Sequence, residues 1–265
     1  MRIEVLDHGY AQLIESWGSD ERIIESARMS TNKGFEGWGP KCSKCGIKMV
    51  AVSASEGVFS PADYEHGEQK GCDHDGTKPG DEKLLRFLWE NNHATPFEMA
   101  GLTIEAQAPI FVFREWHRHR VPFGYNEMSA RYTPLPDINY IPTVERLLIN
   151  SKTNKQAGTV AGARELDEAG ARSFQRKLAA RYDELESDYQ MALADGVPKE
   201  LARVLLPVGR YSRMRATSNL RGWLSFLRLR MAPNAQYEIR MYANAVAKFI
   251  EQKFPRTYAL FSEES

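Results

Sequence analysis

Three cysteines in 265 residues, all between positions 42 and 72, are too few and too clustered for a secreted disulfide framework. No stretch approaches the roughly 18 apolar residues of a membrane span. The start, MRIEVLDHGYAQ, lacks the apolar core of a signal peptide. Net charge is absent too: 35 Lys+Arg balance 35 Asp+Glu, so no overall field draws the chain to nucleic acid or a membrane surface. The expectation is a cytoplasmic protein with neither as partner. What is present is a core: 42% hydrophobic content supports one large domain or two small ones.

Residues 20–30, DERIIESARMS, predict a short helix with acids in its first turn, where the helix dipole favours them. Leu84, Leu85, Leu88 and Trp89 recur at helical spacing and predict a helix over about 81–91. Leu102, Ile104 and Ala106 alternate with Thr103, Glu105 and Gln107, the period of a strand with one buried face. Prolines at 134, 136 and 142 mark an extended connection. Phe174, Leu178, Tyr182, Leu185, Tyr189 and Leu193 step by three or four, predicting a long amphipathic helix over about 165–194. A strand follows over about 210–217. Leu220, Trp223, Leu224 and Leu227 then make a helical stripe that frees Asn219, Arg221, Arg228 and Arg230 for polar partners. Pro233 ends that helix, and Asn234 is placed to cap the next, whose buried face is Ile239, Tyr242, Val246, Phe249 and Ile250.

Between 33 and 80 the composition shifts to Gly, Lys and Asp, with CSKCG at 42–46 and GCDHDG at 71–76. Cys42-x2-Cys45 and Cys72-x-His74 give four ligands in two tight pairs, the spacing of a structural zinc knuckle, with His66 as substitute fourth ligand. A surface insertion with free thiols and a redox CxxC pair are the other readings.

The chain is organised around 114–132, REWHRHRVPFGYNEMSARY, directly after the apolar Ile110-Phe111-Val112-Phe113. Pro109 suits the first turn of a helix, which is expected to run to about His119, with Arg118, His119 and Arg120 in its last turn. Helical neighbours point about 100° apart, so these three side chains reach different partners. Pro122 and Gly124 break the helix, placing Asn126 and Glu127 opposite the arginines. The stretch offers several donors for phosphate oxygens and no base-activated nucleophile. A solvated helix end with a Glu127/Arg131 pair is the plainer alternative.

The stretch resembles the signature of the flavin-dependent thymidylate synthases, RQWxRHR…NExSxRY. Here eight residues rather than seven separate Arg120 from Ser129, and Glu115 replaces Gln. ARMS at 27–30, HATPFE at 93–98, KELARVLLP at 199–207 and NLRGWLSFLRLR…AQYEIRMYA from 219 resemble further family segments. Met99 stands in place of a histidine, and Asn154–Gly158 resembles a short NKQGS-like piece. The segment at 33–80 has no counterpart and reads as an insertion in a single domain, 1–265.

The resemblance implies an α+β fold, an antiparallel or mixed central sheet flanked by helices, the thymidylate synthase-complementing protein fold. It implies reductive methylation of dUMP to dTMP, with methylene-tetrahydrofolate as carbon donor, FAD as hydride carrier and NADPH as reductant. No cysteine lies in any motif segment, which excludes the Cys-nucleophile route of classical thymidylate synthases. Carried over residue by residue, Arg118, Arg131 and Arg203 take the dUMP phosphate or sugar edge, and Arg230 is the catalytic candidate at the uracil O2/N3 edge. Glu115, Glu127, Met128, Ser129 and Ala130 complete the dUMP site, with Ser129 as binder or, less simply, nucleophile. Ser30, His93, Thr95, Arg118, His119, Arg120, Asn126, Glu127, Asn219 and Arg221 face FAD. Ser225 and Asn234 stand at two more cofactor positions. A homotetramer with shared sites is implied. Two other readings stay open: flavin-dependent one-carbon transfer to another pyrimidine nucleotide, and a zinc-containing nucleic-acid binder, against which zero net charge counts.

Overall fold

The computed structural model describes residues 1–53, 58–61, 72–74, 76–150, 154 and 157–264. His66, Gly71, Asp75 and Lys155-Gln156 from the motifs above lie outside the described residues. In chain order the elements are strands β1 (Arg2–Val5) and β2 (Gly9–Trp17), helix α1 (Asp20–Arg28), strands β3 (Lys41–Cys42), β4 (Met49–Ser53), β5 (Val58–Pro61) and β6 (Thr77–Lys78), and helix α2 (Glu82–Glu90). Strand β7 (Gly101–Pro109), helix α3 (Ile110–Trp116), strand β8 (Gly124–Glu127) and helices α4 (Val144–Leu148), α5 (Glu168–Ala194) and α6 (Lys199–Ala202) follow. Strand β9 (Tyr211–Asn219) and helices α7 (Leu220–Arg230), α8 (Tyr237–Lys253) and α9 (Pro255–Glu263) close the chain. These elements form two compact units: Met1–Glu15, Leu102–Ser218 and Gly222–Phe249 in one; Ser16–Gly101, Asn219–Arg221 and Ile250–Ser265 in the other.

The first unit is built on a five-stranded sheet ordered β1-β2-β7-β9-β8. β1 runs antiparallel to β2, and β8 antiparallel to β9 with Glu127 opposite Met214. The predicted alternation in β7 holds, because Leu102, Ile104 and Ala106 are fully buried. In β9, Ser212, Met214 and Ala216 face inward while Arg213 and Arg215 face out. The predicted stripes of α7 and α8 cover the buried face: Trp223, Leu227, Ile239, Tyr242 and Val246 are all fully buried. Burying each such aliphatic side chain stabilises by about 1.5–3 kcal/mol. The polar ends need partners in that setting. Trp223 Nε1 donates to Leu102 O at 2.9 Å, and the Tyr242 hydroxyl to Gln107 O at 2.6 Å.

Three sequence expectations shift in this unit. Helix α3 ends at Trp116, so Arg118–Arg120 lie beyond it instead of in its last turn. The Tyr125 hydroxyl, from β8, lies 3.1 Å from Trp116 O and 2.6 Å from His119 O; its single proton serves the nearer, His119 O, while the His119 N–H donates to Trp116 O at 3.0 Å. Helix α5 starts at Glu168, where the Asp167 side chain accepts the Gly170 N–H at 2.7 Å. Of its predicted stripe only Tyr189 is fully buried, and Phe174 is 46% exposed. Asn234 does not cap α8, which begins three residues later at Tyr237.

In the second unit, α1 is capped by Ser19, whose hydroxyl accepts the Arg22 N–H at 3.3 Å. Buried Asp20 accepts from the Arg256 and Thr257 N–H groups and the Thr257 hydroxyl, capping α9. Leu85, Leu88, Phe97 and Phe261 supply the core, with Trp89 edge-on to both phenylalanines. Within 33–80, β3 pairs with β6 and β4 with β5, both antiparallel. Asp81 accepts the Glu36 and Gly37 N–H groups and pairs with Arg28; Glu82 accepts the Gly39 N–H at 2.8 Å.

Candidate functional site

Arg230, at the end of α7, is the node of the first unit's polar site. Its Nη1 donates to Glu115 Oε2 at 2.8 Å, its Nη2 to Glu115 O at 2.8 Å, and its Nε to His119 Nε2 at 2.9 Å. The His119 ring must therefore be neutral and accept through Nε2. Burial, seconded by the Arg230 charge, pulls this imidazole down to about 4. The ring packs edge-on against Phe226, whose centroid lies 4.9 Å away. Two sequence motifs 111 residues apart thus share one hydrogen-bonded cluster.

Beyond the Pro122 turn, β8 carries the next residues. Glu127 is partly buried, which pushes its carboxyl up; it makes no pair with Arg131, whose guanidinium lies over the Tyr132 ring instead. The Ser129 hydroxyl accepts the Arg131 N–H at 3.4 Å, and Ala130 is buried. No histidine bonds to Ser129 among the described residues, so nothing there activates a nucleophile.

Asn126, Glu127 and Met128 line a cavity of about 360 Å³ with Glu105, Arg213 and Arg215. Burial works against ionisation of Glu105, but the Tyr10 hydroxyl, at 2.8 Å, and the Arg215 charge hold its carboxyl low. Arg213 and Arg215 escaped the sequence reading. The alternation Ser212-Arg213-Met214-Arg215 was the available signal, since it puts both guanidinium groups on one strand face. A second cavity, about 710 Å³, is lined by Glu115, Arg230, Asn234, Tyr237 and Arg240 among others. It joins Asn234 to the Arg230 neighbourhood, with the Asn234 carbonyl accepting from Asn154 at 3.1 Å.

The remaining first-unit candidates are exposed. Arg118 and Arg120 have no ion-pair partner among the described residues. Among the described residues Arg203 reaches only the Glu200 carbonyl, at 3.2 Å, and Ser225 faces outward on α7.

In the second unit, Ser30 sits in the turn after α1 and bonds the Ala27 carbonyl at 3.2 Å. His93 stands edge-on to Phe87, Thr95 is exposed, Asn219 ends β9, and Arg221 pairs with Glu98 at 2.5 Å. Separately, Cys42, Cys45, Cys72 and His74 bring their ligand atoms within 4.8 Å of one another.

Comparison with known proteins accords with these motifs. The sequence model of the family described as thymidylate synthase complementing protein matches residues 12–256. A flavin-dependent thymidylate synthase of Kosmotoga olearia is 32% identical over 261 residues, covering 98% of this chain and 93% of that protein. One from Thermus thermophilus is 32% identical over 263 residues, covering 99% and 79%. Among solved structures, the UMP/dUMP methylase PolB from Streptomyces cacaoi, bound with 5-Br UMP, superposes with a TM-score of 0.71 at 25% identity, covering 98% of this chain and 96% of that one. No helix among the described residues is long and apolar enough to cross a membrane.

Proposed function

The chain belongs to the thymidylate synthase complementing protein family, and from that premise we propose that it catalyses the reductive methylation of dUMP to dTMP. The observation that carries this reading is the Arg230–Glu115–His119 cluster, where two family motifs distant in sequence converge. The imide edge of uracil presents acceptor, donor, acceptor. Arg230 supplies N–H donors to its carbonyls, and the Glu115 carboxylate is an acceptor for N3–H. The same guanidinium stabilises the charge that gathers on the carbonyl oxygens as C5 becomes nucleophilic. In the free chain Glu115 occupies those donors, so the nucleotide displaces part of this contact.

Arg118, Arg131 and Arg203 hold the phosphate and sugar edge as charge-assisted donors, with Glu127, Met128, Ser129 and Ala130 beside the nucleotide. FAD, when bound, supplies the hydride; methylene-tetrahydrofolate supplies the carbon and NADPH the electrons. The donors fit a flavin dinucleotide, whose diphosphate suits exposed guanidinium groups such as those of Arg118 and Arg120, which have no ion-pair partner among the described residues. His119, Asn126, Ser30, His93, Thr95, Asn219, Arg221, Ser225 and Asn234 are assigned to the same cofactor. Arg221 must first exchange its pair with Glu98. Residues 1–265 are taken as one catalytic domain, since the family match crosses both units.

A homotetramer with shared sites is part of the reading. Exposed Phe174, Met191, Leu201 and Val204 supply apolar surface for a second copy to cover, and exposed Arg203 sits beside Val204. UMP as acceptor is the second reading, favoured by the structural neighbour described as acting on both nucleotides.

The deciding experiment incubates the protein with FAD, NADPH, methylene-tetrahydrofolate and either dUMP or UMP, reading the nucleotide product by mass. Gain of one CH2 on dUMP is expected. Gain on UMP alone moves the assignment to the second reading, and gain on neither defeats both.

A further inference from the structure

The four ligand atoms of the cysteine-histidine cluster lie within 4.8 Å of one another, and two of their separations match the edges of a metal's first coordination sphere. Zinc bonds of about 2.3 Å to sulfur and about 2.0–2.1 Å to nitrogen set tetrahedral ligand-to-ligand edges of roughly 3.3–3.8 Å. Cys42 Sγ lies 3.6 Å from Cys72 Sγ, and Cys45 Sγ lies 3.5 Å from His74 Nδ1. A disulfide needs about 2.05 Å, and all three cysteines are free.

The backbone prepares this geometry. Cys42 and Cys45 turn to one side because the Gly46 N–H donates to Cys42 O at 3.0 Å and the Cys42 N–H to Ile47 O at 2.8 Å. Gly46 takes the positive φ of 78° that this turn requires. The partner pair is brought alongside by β6, where Thr77 stands opposite Cys42 and the Ser43 N–H donates to Gly76 O at 3.1 Å. The His74 N–H points at Cys72 Sγ from 3.4 Å, the kind of outer hydrogen bond that supports a metal thiolate. Three thiolates and an imidazole are soft ligands, unsuited to calcium or magnesium.

We propose that Cys42, Cys45, Cys72 and His74 bind one structural zinc ion that clasps the 33–80 segment, independently of the nucleotide chemistry. The clasped segment is the one whose Glu36, Gly37 and Gly39 N–H groups seat on Asp81 and Glu82. Asp81 in turn pairs with Arg28 at the end of α1, so zinc holds the turn that carries Ser30.

The test is metal analysis of the full chain purified without chelator, beside Cys72→Ser and His74→Ala. An equimolar amount of zinc is expected in the parent and at least about tenfold weaker retention in the variants. Because either variant can fail to fold, the parent is also exchanged with Co2+, which should give strong tetrahedral d–d bands and a thiolate charge-transfer band. Iron in place of zinc, zinc content equal in parent and variants, a parent without metal, or an octahedral cobalt spectrum each overturns the proposal. None of these readouts depends on turnover, so failure of the methylation reading would leave them intact.

Discussion

The Arg230 guanidinium grips Glu115 twice, through the side-chain carboxylate and the backbone carbonyl, both at 2.8 Å. A single side chain at the end of one helix therefore fixes both position and charge at the end of another. The third donor, Nε, commits His119 to the neutral form.

Replacing Arg230 with alanine should lower dUMP-dependent turnover by about 10²–10³-fold while flavin absorbance is retained. The same variant removes the charge that helps depress His119. An NMR titration should show the His119 midpoint rising from about 4 in the parent. Unchanged turnover would take Arg230 out of the chemistry.

Acid should weaken the fold through His119. Its folded value, about 4, lies below the ordinary 6.5, so between these pH values the unfolded chain binds the extra proton. Stability from this group is complete above about pH 6.5 and is lost as pH falls toward 4. Glu127, raised by burial, acts in the opposite sense, so the informative quantity is a difference. In thermal melts the parent should lose stability relative to His119→Gln as pH falls from about 6.5 toward 4.

Glu115→Gln keeps an acceptor for uracil N3–H and frees Arg230 from a carboxylate, so turnover should stay within about tenfold of the parent. Glu115→Leu removes the acceptor and should raise the dUMP KM by roughly 10–100-fold, the weight of a hydrogen bond worth about 1.5–3 kcal/mol. Equal effects of both variants would show that the carboxylate charge, not the acceptor, matters.

Among the described residues Arg203 bonds only a neighbouring carbonyl, so Arg203→Ala should leave the melting temperature within a degree or two. On the phosphate assignment the dUMP KM should rise by about 10–100-fold with kcat little changed, the loss of one charge-assisted contact. A fall in kcat with KM constant would place Arg203 elsewhere.

Arg210 is 1% exposed and paired to Asp137 and Glu186. Arg210→Ala strands the Glu186 carboxylate, which is 16% exposed, and should cost about 3–5 kcal/mol in urea unfolding. Arg210→Met combined with Glu186→Leu should recover most of that, because the one charge left without its partner, Asp137, is 60% exposed and hydrated. A double variant as unstable as the single one would contradict this account.

Periodicity alone located β7, α2 and α7 and the buried stripe of α8, though not the start of α8 at Tyr237, because those patterns follow from local backbone geometry. The tight cysteine-histidine spacing likewise brought four ligands together, since two of the three links are local. Only the tertiary structure decided that α3 stops at Trp116, where the Tyr125 hydroxyl from β8 meets the chain just beyond it at His119 O. It alone paired Arg230 with Glu115, Arg221 with Glu98, and Arg213 and Arg215 with the cavity beside Glu127. A guanidinium has five donors and a long flexible stem, so its own sequence neighbourhood does not choose its partner; packing of distant segments does.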